Sequence, residues 1–224
     1  EVVQEIYEVS NALRQRQLAD VLVLDIRDTI YQTIRAGGMP KVSYRFLSEP
    51  TEYLALIDHT TRNDHRAQLF ESWMDTMAME NVNVVKYFFR HDPRVCWGKD
   101  FPDGISIETL FQRYPEHRLI VMSNANYLLQ PFRAELKDWA LTCFEGWSRK
   151  ILVTPTEPAE WSYQEKLLSK IMTIVPANKQ GQLALAELLS ADETTDFTKL
   201  RTRFTVSSIT IPVPVSAQQT AEDI

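Results

Sequence analysis

Glycine is scarce in this 224-residue chain, which has only six. Loops that cradle phosphate are built from glycines directly after a strand. No strand-like stretch here is followed by such a loop, so the nucleotide-binding version of an α/β fold is poorly supported. Cysteine is scarcer still. Cys96 and Cys143 lie far apart without metal-ligand spacing, which argues against a disulfide framework or a zinc module and for a reduced, cytoplasmic setting. No apolar run approaches the ~18 residues that a membrane-spanning helix needs, and no signal-peptide pattern opens the chain. There is no excess of positive charge: 24 basic residues face 30 acidic ones, a net charge of −6. Such a balance argues against sequence-independent nucleic-acid binding. No Gly-x-Ser-x-Gly occurs and neither cysteine has an evident histidine partner, so nucleophilic catalysis has no visible basis. The first residue is Glu, which fits a piece of a longer protein.

What is present is an ordinary globular composition, 44% hydrophobic and 24% charged, enough for one domain with a sizeable core. The organising stretch is Glu52 to Asp64. Tyr53 to Ile57 is an unbroken apolar run that ends at Asp58 and gives way to a polar loop. A strand without polar alternation is buried on both faces, as a parallel sheet requires. From there the pattern alternates. A helix over 64–79 presents Phe70, Trp73, Met74 and Met77, with Thr61 and Asp64 at capping-box spacing. Strands follow at 82–89 and 95–97, then a small helix at 106–114 and a strand at 118–122. A helix is expected from Pro131, with Phe132, Leu136, Trp139, Ala140 and Cys143 on one stripe. A strand at 150–154, a helix at 160–172, a strand at 173–176 and a helix at 180–189 complete the series.

This alternation predicts a three-layer, doubly wound, mostly parallel α/β sheet with right-handed crossovers. Residues 51–190 form that domain. Residues 1–50 read as a helical preface with a lead-in strand: a helix over 2–17, a second over 25–36 with Asp25 as N-cap, and a Gly37-Gly38 stop. Residues 191–224 turn rich in Ser, Thr, Asp and Gln, with one strand-like piece at 204–215, and read as a linker or arm.

In an open α/β sheet, ligands collect at the carboxyl ends of strands, which places a candidate site at Asp58. Asp58-His59-Thr60-Thr61-Arg62 has the form Asp-x-Thr-x-Arg. Two more loops are expected at the same edge, Gly104-Ile105-Ser106 and Ser123-Asn124-Ala125-Asn126. The order of elements and these loops resemble the von Willebrand factor A (vWA) domain, which holds Mg²⁺ through Asp-x-Ser-x-Ser, a later Thr and a later Asp. The stretch 24–47 resembles the preface of bacterial vWA proteins that work beside MoxR-type AAA+ ATPases. The resemblance implies a Rossmann-like fold and a metal-ion-dependent adhesion site. Carried over, Asp58 matches the first Asp, Thr60 the first Ser, Ser106 the Thr and Asn124 the last Asp, while Arg62 replaces the second Ser. Asp58, Thr60 and Ser106 are then the residues left to hold Mg²⁺, with one carboxylate among them. Mg²⁺ favours near-octahedral oxygen ligands with one or two carboxylates. A fixed cation at Arg62 can instead pair with Asp58. That departure implies a degenerate site.

The expectation is therefore a non-catalytic, cytoplasmic protein-binding module of a larger bacterial assembly, a conflict or defence system being one such setting. Asp58, Thr60, Arg62, Ser106 and Asn124 would meet a protein partner, an AAA+ ATPase being one candidate. The rival expectation is a metal-dependent hydrolase or nuclease in which Asp58, Asp92 and Asp103 converge. His59 and His65 read as solvent-facing loop residues, and Trp97 as a candidate contact surface.

Overall fold

The computed structural model describes residues 10–11, 13–14, 16–60, 64–130, 135–190, 199 and 202–204. Its main body is a seven-stranded sheet in the order β6-β5-β4-β3-β7-β8-β9. The strands are β3 (Glu52–Asp58), β4 (Asn83–Arg90), β5 (Asp92–Trp97), β6 (Ile105–Ser106), β7 (Arg118–Met122), β8 (Lys150–Thr154) and β9 (Thr173–Pro176). Five of them, β4, β3, β7, β8 and β9, run parallel. β5 reverses against β4, and β6 reverses against β5. Helices flank this sheet, which makes the domain α/β and Rossmann-like in build.

The strands are legible in their composition. Tyr53 to Ile57 are each at most 1% exposed, and Leu119 to Met122 are fully buried. Runs of this kind fit only strands covered on both faces. Helix α2 (His65–Met79) begins where the Asp64 carboxylate accepts hydrogen bonds from the backbone N–H of Arg66 and Ala67, and it buries Phe70, Trp73, Met74 and Met77. Asp64 is thus its N-cap; Thr61 lies outside the described residues. Helix α3 (Ile107–Arg113) is capped by the Ser106 hydroxyl. Helix α4 (Asp138–Cys143) starts later than the stripe from Pro131 suggested. Residues 131–134 lie outside the described part, and Leu136 bridges to Leu129 in extended form instead of joining the helix.

The helix expected over 160–172 is shorter. A 3-10 turn (Pro158–Glu160) precedes a Ser162–Glu165 capping box, which starts α5 (Tyr163–Leu168). Helix α6 (Lys179–Ser190) closes the body, and Gly181 brings it against the end of β9. Beyond it, Phe204 is helical and buried, with its ring edge-on to Trp161 at 6.0 Å; residues 205–224 lie outside the described part.

The region before the body differs most from expectation. The stretch 16–24, of which the sequence reads only Arg16 and Gln17 as helix, is strand β1 (Arg16–Leu24). It pairs antiparallel with β2 (Tyr44–Pro50) in a separate two-stranded sheet. Helix α1 (Ile26–Arg35) lies between them with Asp25 as N-cap, as its sequence signals predict. The described part of the preface is therefore a β-α-β arm. The helix expected over 2–17 falls mostly outside the described residues.

Two outcomes test this packing. A Cβ added at Gly181 would collide with the Pro176 carbonyl, so Gly181→Ala should destabilise the protein by about 1–3 kcal/mol in urea unfolding. His117 has a side chain only 12% exposed, near Glu52 at 3.5 Å. Burial holds its imidazole below the ordinary value, with Glu52 partly opposing. The unfolded chain therefore takes up this proton first as pH falls below about 6.5, and stability declines from there toward the lower folded-state pKa. His117→Gln should flatten that part of the urea stability profile.

Candidate functional site

The chain leaves β3 toward β4 on one side and leaves β7 toward β8 on the other, so β3 and β7 flank the point where the sheet order reverses. In open α/β sheets the crevice at this switch point, beyond the carboxyl ends, is the common ligand position. Asp58 is the last residue of β3, and Ser123 directly follows β7. The Ser123 hydroxyl donates to Asp58 Oδ2 at 2.7 Å and accepts from the Ala125 N–H at 3.1 Å. The His91 N–H donates to Asp58 Oδ1 at 3.3 Å. His91 occupies the tight turn between β4 and β5 with φ +58°, a left-handed conformation that costs a non-glycine residue energy. Three neighbouring strand ends thus fix one carboxylate.

Tyr127 closes the floor of the crevice. Its ring packs edge-on to Phe89 at 5.4 Å. Its buried hydroxyl finds no hydrogen-bond partner among the described residues. Burial, then the Asp58 charge, push its ionisation well above the ordinary value, and Ser123 opposes. On the neighbouring face, His59, Glu71, Phe88, Arg90 and Trp97 line a cavity of about 370 Å³. Phe88 and Trp97 stack at 6.4 Å, and His59 stands edge-on to Phe88 at 6.1 Å. The volume lies at the low end of the range for small-ligand sites and admits a flat side chain or a small ligand.

The sequence-derived residues are distributed as follows. Asp58 occupies the expected place. The Thr60 N–H donates to Asp64 Oδ2, which ties the loop to the start of α2. Arg62 lies outside the described residues. Asn124 is exposed on the adjacent loop, where its side chain accepts from the Asn126 N–H; the neighbouring Ser123 makes the contact with Asp58. Ser106 does not join them. It stands on β6, three strands from β3, roughly 14 Å at ~4.8 Å per strand, and its hydroxyl caps α3. The convergence of Ser106 with Asp58 fails because β4 and the reversed β5 intervene between them.

The donor set does not fit Mg²⁺ well, because the Asp58 carboxylate is already engaged by two protein donors. Among the described residues no group of three His, Cys, Asp or Glu is placed to hold a metal ion. The Asp92 carboxylate is instead gripped by Arg94 at 2.6–3.0 Å, and the first effect holding it below the ordinary range is that hydrogen bonding. Asp58, Asp92 and Asp103 therefore do not assemble as the nuclease arrangement requires.

Sequence reading missed Ser123, His91 and Tyr127. Ser123 was adjacent to the residue aligned to the family pattern. Only strand order could reveal His91, and nothing in the sequence marked Tyr127. No family model matches the chain, and neither a curated protein nor a solved structure matches it.

Removing the Ser123 hydroxyl should leave Asp58 Oδ2 without its short donor. Ser123→Ala is expected to cost about 1–3 kcal/mol of stability. Asp58→Asn should cost less, because the amide can turn its oxygen to the His91 N–H and donate its NH2 to the Ser123 hydroxyl oxygen. Chemical denaturation of both variants checks the ordering.

Proposed function

We propose that this chain is a non-catalytic, vWA-like protein-binding module whose binding edge is the switch-point crevice around Asp58. The observation that carries the reading is the short Ser123–Asp58 hydrogen bond, which fixes a single carboxylate across β3 and β7. Supporting it is the strand order, β6-β5-β4-β3-β7-β8-β9, in which the first strand of the body lies in the middle and the order reverses beside it. The vWA resemblance implies a Rossmann-like build of this kind. The aromatic cavity beside Asp58 offers a seat for a partner's flat side chain.

On this reading no metal completes the contact. Arg62 follows Asp58 by four residues, and a guanidinium can receive a carboxylate with two parallel hydrogen bonds. A partner's acidic side chain is then met by Arg62 where a Mg²⁺-dependent relative would use the ion. Asp58 holds the loop base by its contacts to Ser123 and His91. The partner class suggested by the resemblance is a MoxR-type AAA+ ATPase within a bacterial assembly, which makes such an ATPase the first partner to try.

Two measurements test this. Calorimetric titration with Mg²⁺ to millimolar concentration should give no saturable heat; a one-site isotherm that Asp58→Ala removes would overturn the metal-free reading. In binding to a purified MoxR-type ATPase, Arg62→Ala should weaken affinity by roughly 10- to 100-fold, or about 1.4–3 kcal/mol, while EDTA leaves it unchanged. Loss of binding in EDTA with recovery in Mg²⁺ is the contrary result.

A further inference from the structure

Sixteen large apolar residues are exposed among the described ones, and ten of them lie between Leu22 and Phe46. All ten belong to the β1-α1-β2 arm. Their exposures run from 49% at Phe46 to 75% at Met39. At roughly 100 Å² exposed for each such side chain, the arm presents on the order of 1,000 Å² of apolar surface in all, divided between the isoleucine side of α1 and the ribbon face that carries Leu22, Leu24, Tyr44 and Phe46. Ordinary monomers rarely show a patch above ~300–600 Å², and a stable interface needs ~800 Å² from each partner.

The arm cannot hide this surface itself. Its two strands pair only with each other and do not join the main sheet, and an isolated two-stranded ribbon is marginal in water. Helix α1 buries none of its residues. Thr29 exchanges hydrogen bonds with Ser43, and Thr33 accepts from the Lys41 N–H. These contacts turn the threonine side of α1 toward the 41–43 segment and leave the Ile26, Ile30 and Ile34 stripe outward. Those three are 64%, 54% and 70% exposed.

We propose that the occupant of this face is the same face of a second copy, so that the arm is a homodimerisation element. Three observations favour a copy of this chain. The area of one arm meets what a stable dimer requires. The body offers no matching patch, because its six exposed apolar residues are scattered over α2, β5, α4, α5 and α6. The stripe is self-complementary: two α1 helices packed antiparallel about a twofold axis at Ile30 bring each Ile26 against the mate's Ile34, while Asp25, Asp28 and Arg35 lie on the far side of the helix, where Asp25 pairs with Arg45 at 3.7 Å. An interface between identical patches of this kind closes at two copies. The Arg27 side chain, near the stripe, reaches the rim by extending its charged end.

Light scattering and sedimentation equilibrium on the full chain test the proposal. The wild type should be a dimer at micromolar concentration. Ile30→Glu, an exposed position, should raise the dimer dissociation constant at least ~100-fold by placing unpaired carboxylates at the contact, with unchanged circular dichroism. Ile30→Cys in a Cys143→Ser background should form a disulfide dimer on mild oxidation, whereas Met79→Cys in the same background should not. A wild type monomeric at roughly 100 µM, where even weak dimers associate, overturns the proposal. So does cross-linking of Met79→Cys as readily as Ile30→Cys, which would place the contact on the body. Co-sedimentation of a monomer with phosphatidylserine vesicles, lost in Ile30→Glu, would assign the face to lipid instead.

Discussion

A strand buried on both faces is the constraint from which this architecture follows. Tyr53 to Ile57 have no polar side to turn toward water, so β3 needs neighbours at both edges and layers above and below. β4 and β7 take the two edges in parallel. Since β3 is the first strand of the body in the chain and occupies its middle, later strands have to add on both sides, and the direction of addition must reverse once. That reversal opens a crevice beside β3. Asp58 reaches the crevice because it is the residue at which the apolar run stops. The site is therefore a consequence of where burial ends.

The carboxylate at that point sits in a setting of donors. Ser123 and His91 supply hydrogen bonds from two different strand ends. Three of the four histidines, His59, His65 and His91, belong to the segments that border this edge, together with Arg66 and Arg90. In a chain with net charge −6, this edge is locally rich in groups that donate to anions. A second carboxylate is what a Mg²⁺ shell lacks here, and a partner could supply it. The same donors that weaken the case for a metal make direct reception of an acidic side chain the simpler arrangement.

The sequence revealed β7, β8 and β9 to within a residue, because strands in a covered parallel sheet carry continuous apolar runs with few alternatives. It revealed the capped helices α1 and α3 for the same kind of reason: Asp25 and Ser106 are local signals acting within one turn. It failed where structure depends on distant partners. The Arg16–Leu24 strand is stabilised by pairing with residues 20 to 34 positions later, and its own apolar run, Val21 to Leu24, is too short to tell strand from helix. Leu136 looked helical by periodicity, but its backbone is taken by Leu129. The site was half legible for the same reason. Asp58 follows from local pattern, whereas Ser123 and His91 reach it through strand order, and Ser106 is carried away by it.

The arm and the body answer the hydrophobic effect differently. The body closes its apolar surface internally, with β3, β7 and β8 sealed between helices. The arm has too few layers to do so: two strands and one helix give one face of contact among themselves and leave the other outward. At ~25 cal/mol per Å², leaving on the order of 1,000 Å² in water forgoes a free energy larger than the whole stability margin of many domains. Selection for a soluble chain would replace Ile26, Ile30 and Ile34 by polar residues unless burial elsewhere recovers that energy. A helix that keeps three isoleucines at fourfold spacing, symmetric about Ile30, is better matched to an antiparallel copy of itself than to water. Because the arm joins the body near the start of β3 while the Asp58 crevice lies at that strand's other end, dimerisation through the arm would leave both crevices open to partners.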